Sequence, residues 1–241
     1  MNAALEAIAK RHQSALLVGA GPGLGGSLVR LFAAEGMAIA LAARSPDKLG
    51  PLCAETGATA YACDVADANS VFALFAALDK DGFAPDLVIF NPSRRLRGPL
   101  VELDHEEVRQ SLLVNCYGGF LVGQQAARRM LARGRGSIFF TGASASMKGY
   151  PQSAPFAMGK FGLRGLAESM ERELQPRNIH VAHFVIDGSI SKGPGDDRAK
   201  GRDEDALLAP SAIAVTFLHV HRQPRSAWIF EVALRPWLET F

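Results

Sequence analysis

Cysteine is scarce in this chain. Cys53, Cys63 and Cys116 are the only three among 241 residues, and none of them forms a C-x-x-C pair. An odd, scattered set supports neither a disulfide framework nor a zinc site. Net charge is scarce as well, because 26 lysines and arginines against 24 acids leave only +2. That balance is too small to argue for nucleic acid or an anionic membrane as partner. No apolar run reaches the roughly 18 residues of a membrane span. The six histidines contain no pair four residues apart with an intervening glutamate, so no metal is expected. His180 and His183 fall in an apolar stretch, where a structural role with satisfied ring nitrogens is expected. His219 and His221 close a late helical stretch, where positive charge complements the helix dipole. Glu168, Glu171 and Glu173 with Arg164 and Arg172 read as an exposed helical face, Arg164 and Glu168 being one turn apart. Met1 to Gln13 reads as a short amphipathic extension carrying Lys10 and Arg11. It lacks the apolar centre and small-residue cleavage site of a secretory signal, and a cytoplasmic protein is expected.

Glycine, by contrast, is plentiful, and its densest cluster lies in Leu16-Leu17-Val18-Gly19-Ala20-Gly21-Pro22-Gly23-Leu24-Gly25-Gly26. The apolar run Ala15 to Val18 reads as a buried strand, and Gly25 to Glu35 shows helical spacing at Leu28, Leu31 and Phe32. Strand, glycine turn and helix N-terminus together make a phosphate site, because free N–H groups and the helix dipole face an anion. The flanking strand and helix supply the context that a dinucleotide motif requires.

The same alternation continues along the chain. Further strands are expected at Met37–Ala43, Thr59–Cys63, Asp86–Phe90, Ser137–Thr141, Ile179–Ile186 and Ala227–Leu234. Helices are expected at Pro46–Gly57 (Ser45 as N-cap), Asp67–Asp79, Asp104–Arg133, Pro155–Leu174 and Leu207–His219. Seven strands with helical crossovers imply a doubly wound α/β fold of the Rossmann type. Its parallel sheet carries helices on both faces and is formed by residues 1–241 as one domain. Right-handed crossovers put the ligand crevice at the C-terminal ends of the strands. The polar, glycine-containing stretch 191–206 reads as a substrate lid.

The end of strand two chooses the dinucleotide. A carboxylate there would hold the ribose hydroxyls of NAD, but the sequence is Ala42-Ala43-Arg44-Ser45. Arg44 and Ser45 both suit a 2′-phosphate, so NADP(H) is preferred and NAD(H) remains possible. The alternative is that Arg44 is only a solvated cation. Asp64, with Val65 beside it, either accepts from an adenine amino group or serves the next helix as a cap, a position Asp67 also offers. Arg94, Arg95 and Arg97 form a basic cluster that would grip an acidic substrate or simply face solvent.

With Gly19-x-x-x-Gly23-x-Gly25, Cys63-Asp64-Val65, Asn91, Val114-Asn115 and Lys160-Phe161-Gly162 in order, the chain resembles the short-chain dehydrogenase/reductases over most of its length. The resemblance implies a cofactor site that includes Gly19, Gly21, Gly23, Leu24, Gly25, Arg44, Ser45, Asp64, Val65, Asn91, Lys160, Gly188 and Ile190. It also implies a homodimer or homotetramer acting on a small carbonyl or alcohol, with Asn115 in a proton relay. The family pattern is Tyr-x-x-x-Lys, with a serine about thirteen residues before the tyrosine. Here Phe156 precedes Lys160 by four, and the earlier position is Ala143, with Ser144 and Ser146 close behind. Asp187 stands where the family has proline, and Pro92-Ser93 replaces two small residues after Asn91. Phenylalanine has no proton to give, and Tyr150 is the nearest phenol. Three readings follow. The chain is a reductase with Tyr150, Ser144, Ser146, Ser153 or a water held by Lys160 and Asn115 in the missing role, a catalytically silent NADP-binding protein, or a partner-binding fold.

Overall fold

Short β-branched and aliphatic runs, apolar on both sides, can only be buried as strands covered from above and below. The computed structural model describes residues 13–193, 195–203 and 205–239, and it shows this arrangement. The strands are β1 (Ser14–Val18), β2 (Ala38–Ala43), β3 (Thr59–Ala62), β4 (Leu87–Phe90), β5 (Gly136–Thr141), β6 (Ile179–Ile186) and β7 (Glu231–Leu234). They form one seven-stranded sheet in the order β3-β2-β1-β4-β5-β6-β7, parallel throughout. Every residue of β4 and β6 is buried. Alternate residues feed two cores. Leu17, Leu41, Ile89, Phe139 and Phe184 pack toward α1 (Leu24–Ala34) and α7 (Pro210–His221). Leu16, Val88, Phe90, Phe140 and Val181 pack on the opposite face.

The helices of that second face are α3 (Ala68–Lys80), α4 (His105–Leu112), α5 (Gly118–Arg133) and α6 (Ala154–Leu174), while α2 (Gly50–Thr56) follows β2. Asp67 caps α3 by accepting from the Asn69 N–H, and Asp104 caps α4 by accepting from Glu107. The long helix expected over Asp104–Arg133 is interrupted by a π turn at Leu113–Tyr117, a local widening that often marks functional sites. At Gly159 on α6 an added Cβ would lie 2.6 Å from the Asn115 Cβ. That glycine lets the π turn press directly against the helix that carries Lys160.

Other expectations need correction. Pro46–Leu49 is a 3-10 turn ahead of α2, and the Ser45 side chain caps nothing. The strand expected from Ala227 begins only at Glu231, because Arg225–Ala227 turns and the Trp228 indole stacks on the His180 ring, 4.6 Å away. The helix expected from Leu207 begins at Pro210, since Leu208 instead bridges to Ile190. Nearly all of Met1–Gln13, and Phe241, lie outside the described residues. Among the described residues no helix is long and apolar enough to cross a membrane, and no cluster suited to a metal occurs.

Candidate active site

A crevice opens along the C-terminal edge of the sheet, where the connections from β1 and β4 leave in opposite directions. Its first half is the glycine turn. Gly19 has φ +83°, and a Cβ there would lie 2.6 Å from the Pro92 nitrogen. Gly21 faces open space, so the backbone at that point is open to an approaching ligand. Helix α1 starts behind Gly23 with no side-chain cap and no acid in its first turn. Its leading N–H groups are therefore left for an anion. The Asn91 amide donates to the Gly19 carbonyl (3.1 Å) and ties the turn to the end of β4.

This half is a cleft of about 570 Å³. Arg44, Ser45, Asp64, Val65 and Asn91 line it together with Gly19 and Gly21. Lys48 joins Arg44 there, a cation that the sequence reading overlooked although it lies one turn further along the same loop. Asp64 accepts from the Ala66 N–H and so braces its own turn, leaving the α3 cap to Asp67. Gly25 sits inside α1, where a Cβ would pack 3.4 Å from the Ala20 Cα rather than face the cleft.

The second half, about 490 Å³, meets the first at Asn91 and Ser93. Leu24, Gly188 and Ile190 belong to this half, with Ser144, Tyr150, Phe156 and Lys160. Lys160 is buried, and its Nζ donates to the Thr141 carbonyl (2.8 Å). Desolvation pulls its pKa down to about 8. The Phe156 ring carries two cations, with the Lys160 Nζ 5.8 Å and the Arg95 guanidinium 5.5 Å from its centroid. Ser144 reaches the cleft. Ser146 does not, because it is fully buried with its Oγ accepting from the Ala143 N–H. Tyr150 is 40% exposed at the rim.

Asn115 is buried in the π turn and both ends of its amide are committed. The oxygen accepts from the Arg94 N–H (3.0 Å), and the nitrogen donates to the Arg94 carbonyl (2.7 Å) and to Ser111 Oγ (3.1 Å). The arginine cluster divides. The Arg94 side chain turns away to pair with Glu107, while Arg95 and Arg97 line the cleft.

Behind the cleft wall lies a network that the sequence did not reveal. Arg164 does not simply lie along an exposed face: its Nε donates to Glu231 (2.7 Å), and its contact with Glu168 is looser (3.8 Å). Glu231 in turn pairs with His183 Nδ1 (2.9 Å) on the adjacent strand. Burial pushes His183 down to about 4, and its Nε2, packed under Gly142, has no hydrogen-bond partner among the described residues. His180 is likewise only half satisfied among the described residues, with its Nε2 on the Ile229 carbonyl and its Nδ1 unpaired. His221 does not act as a cation on the helix dipole. Its Nδ1 meets Ser137 Oγ and burial pushes it down to about 4. Asp187, buried in the proline position, is neutralised by Arg235. Apart from Arg164 with Glu168, these pairs were not legible locally: Arg164–Glu231, His183–Glu231 and Asp187–Arg235 each join residues 48 or more apart.

Comparison with known proteins decides the family. The sequence model of short chain dehydrogenases matches residues 13–190. The chain belongs to the short-chain dehydrogenase/reductase family. It is 28% identical over 178 residues to the 3-oxoacyl-(acyl-carrier-protein) reductase MabA of Mycobacterium bovis, covering 74% of this chain and 69% of that one. It is 30% identical over 206 residues to (+)-borneol dehydrogenase 1 of Salvia officinalis, covering 80% and 77%. A short-chain dehydrogenase from Rhodopseudomonas palustris has a similar crystal structure, with TM-score 0.81 and 36% identity over 94% of this chain and 100% of that one. The oxidoreductase class and the Rossmann-type sheet of this family member follow from these relationships together with the strand order.

Proposed function

We propose that this short-chain dehydrogenase/reductase transfers hydride between NADP(H) and a small carbonyl or alcohol, in an active site where Phe156 occupies the family's tyrosine position. The observation that carries this reading is the continuity of the crevice. A phosphate-ready glycine turn and a buried, cleft-facing Lys160 open into two cavities that share Asn91 and Ser93. The residues present fit such a dinucleotide. The uncapped N-terminus of α1 suits a pyrophosphate, and Arg44, Ser45 and Lys48 suit a 2′-phosphate. A family relative crystallised with NADP supports the same choice. When bound, the nicotinamide supplies or accepts the hydride.

The chain's own groups do the rest. Lys160 holds a ribose hydroxyl and places positive charge beside the reacting oxygen. Ser144 donates to that oxygen, and this reading favours it over the buried Ser146. The proton comes from solvent or from Tyr150, since Phe156 has none. Asn115 orders the Arg94 loop, so any water relay here uses main-chain atoms of the π turn. In this reading the stretch that follows Ile190, the residue that bridges to Leu208, serves as a substrate lid. The exposed stack of Tyr117 on Phe120 supports a homodimer or homotetramer, which light scattering at micromolar concentration tests.

Titration with NADPH and NADH, followed by a carbonyl panel, tests the reading. NADPH binding with turnover that disappears in Lys160→Ala supports it. NADPH binding without turnover, with activity appearing only in Phe156→Tyr, would establish instead the catalytically silent binder, a reading that the cation-covered Phe156 ring favours. No binding of either cofactor would leave the partner-binding fold.

A further inference from the structure

Arg95 and Arg97 stand out by where they lie. Among the described residues Arg44, Arg128, Arg177 and Arg202 also have no carboxylate partner, but only Arg95 and Arg97 lack one on the wall of the reactive cleft. Arg30, Arg94, Arg109, Arg129, Arg164, Arg198, Arg222 and Arg235 each pair with a carboxylate at hydrogen-bond distance. Among the described residues no carboxylate pairs with Arg95 or Arg97, although both lie on the wall of the reactive cleft. The groups acting on Arg95 are burial, the like charge of Arg97 and the Tyr150 phenol. With Lys160 opposite, the cleft holds three cations against one lining acid, Glu239.

The loop that presents them is held in place. Asn91 is tied to Gly19, the Arg94 backbone is gripped at both its N–H and carbonyl by Asn115, and the Gly98 N–H donates to the Gln152 carbonyl. Residues 95 and 97 lie between these anchors at a two-residue spacing, which in an extended segment puts both side chains on one side. A preorganised pair of guanidinium groups costs little further ordering when it binds and matches the two oxygens of a carboxylate. The neighbouring surface is apolar, with the Phe156 ring under Arg95 and Leu24, Ile186 and Ile190 further in.

We propose that the cleft takes a carbonyl compound bearing a carboxylate, held by Arg95 and Arg97 with its apolar body against Phe156 and its carbonyl toward Ser144 and Lys160. This deepens the reductase reading and rests on it only for the fate of the carbonyl, because the anion preference is a binding property. The alternative duty for the two arginines is contact with the dinucleotide itself.

The test is calorimetric titration of the NADPH-saturated protein, and of the protein alone, with three acids and their methyl esters: acetoacetate, phenylglyoxylate and 4-carboxybenzaldehyde. At least one acid is expected to bind tenfold or more tighter than its ester. The preference should fall below threefold in Arg95→Gln/Arg97→Gln, with NADPH affinity and thermal unfolding unchanged. Arg94→Gln, whose side chain points to Glu107, should keep the preference. Equal binding of every acid and its ester, or a preference that survives in the double variant, overturns the proposal. So does a tenfold loss of NADPH affinity in the double variant, which would assign the arginines to the dinucleotide. Acid-selective binding without NADPH oxidation would uphold the anion site and count against the reductase instead.

Discussion

The two halves of the crevice are built in different ways. The glycine-turn half is organised by backbone: a left-handed Gly19 and an uncapped helix end, with the Arg44, Ser45 and Lys48 side chains at its rim. The reactive half is made of side chains brought in from many places: α1, the loop after β4, the end of β5, the 3-10 turn at Ser144–Ser146 and the loop that carries Tyr150, α6, the end of β6 with the stretch after it, and Glu239. Backbone geometry tolerates little change without loss of the whole site. Side-chain chemistry can change one residue at a time, and the residues that set it here include Phe156, Lys160, Arg95 and Arg97. The backbone half suits the anionic part of a ligand, and the side-chain half sets what chemistry can happen beside it.

Breaking the backbone half should have the largest effect. Gly19→Val forces a Cβ onto Pro92 in a conformation that β-branched residues avoid, at a stability cost of about 2 kcal/mol or more. NADPH affinity should fall at least a hundredfold, as read by fluorescence titration. In the reactive half, Lys160→Met keeps the volume and removes the charge. It should lower kcat/KM for carbonyl reduction by about 100-fold while the protein stays folded. Stability of that variant should hold or rise, because a buried cation held at about 8 opposes folding below that pH.

The network behind the reactive wall should give the next effect. His183, pushed down to about 4, is neutral in the folded protein, whereas the unfolded chain protonates near 6.5. Its contribution is therefore fully present above pH 6.5 and is lost as pH falls from there toward 4. Urea unfolding at pH 7 and pH 5 should show a drop in the wild type that His183→Gln shrinks by roughly 2 kcal/mol, the remainder coming from His221 and His180, which burial also pushes down.

Two smaller effects would sharpen the contrast between the halves. Arg44→Ala should reduce the preference for NADPH over NADH by about tenfold, the worth of one charge-assisted hydrogen bond, without altering NADH affinity. Ser144→Ala should lower kcat/KM three- to tenfold at unchanged stability. Ser146→Ala, losing the bond from the Ala143 N–H, should instead cost about 1 kcal/mol in unfolding free energy.

Much of this molecule was determined by local sequence. Apolar runs bounded by glycine and proline marked the seven strands, and the turn from Gly19 to Gly25 announced the phosphate site. Their signals lie within ten or so residues, because backbone conformation and period-two or helical burial are short-range properties. Arg44 and Lys160 were legible for the same reason, each being placed at the end of a recognisable element.

Only the tertiary structure decided which side chains meet. The sequence allowed Ser144 and Ser146 equally, and the 3-10 turn buried one and turned the other to the cleft. It grouped Arg94, Arg95 and Arg97, and the Asn115 clamp with the Glu107 pairing separated the first from the other two. Arg164, His183 and Glu231 come from three elements and join only because β7 lies in register with β6 beside α6. Hydrogen bonds and ion pairs act over about 3 Å in space regardless of separation along the chain. Their partners emerge only once the sheet has set the strands side by side.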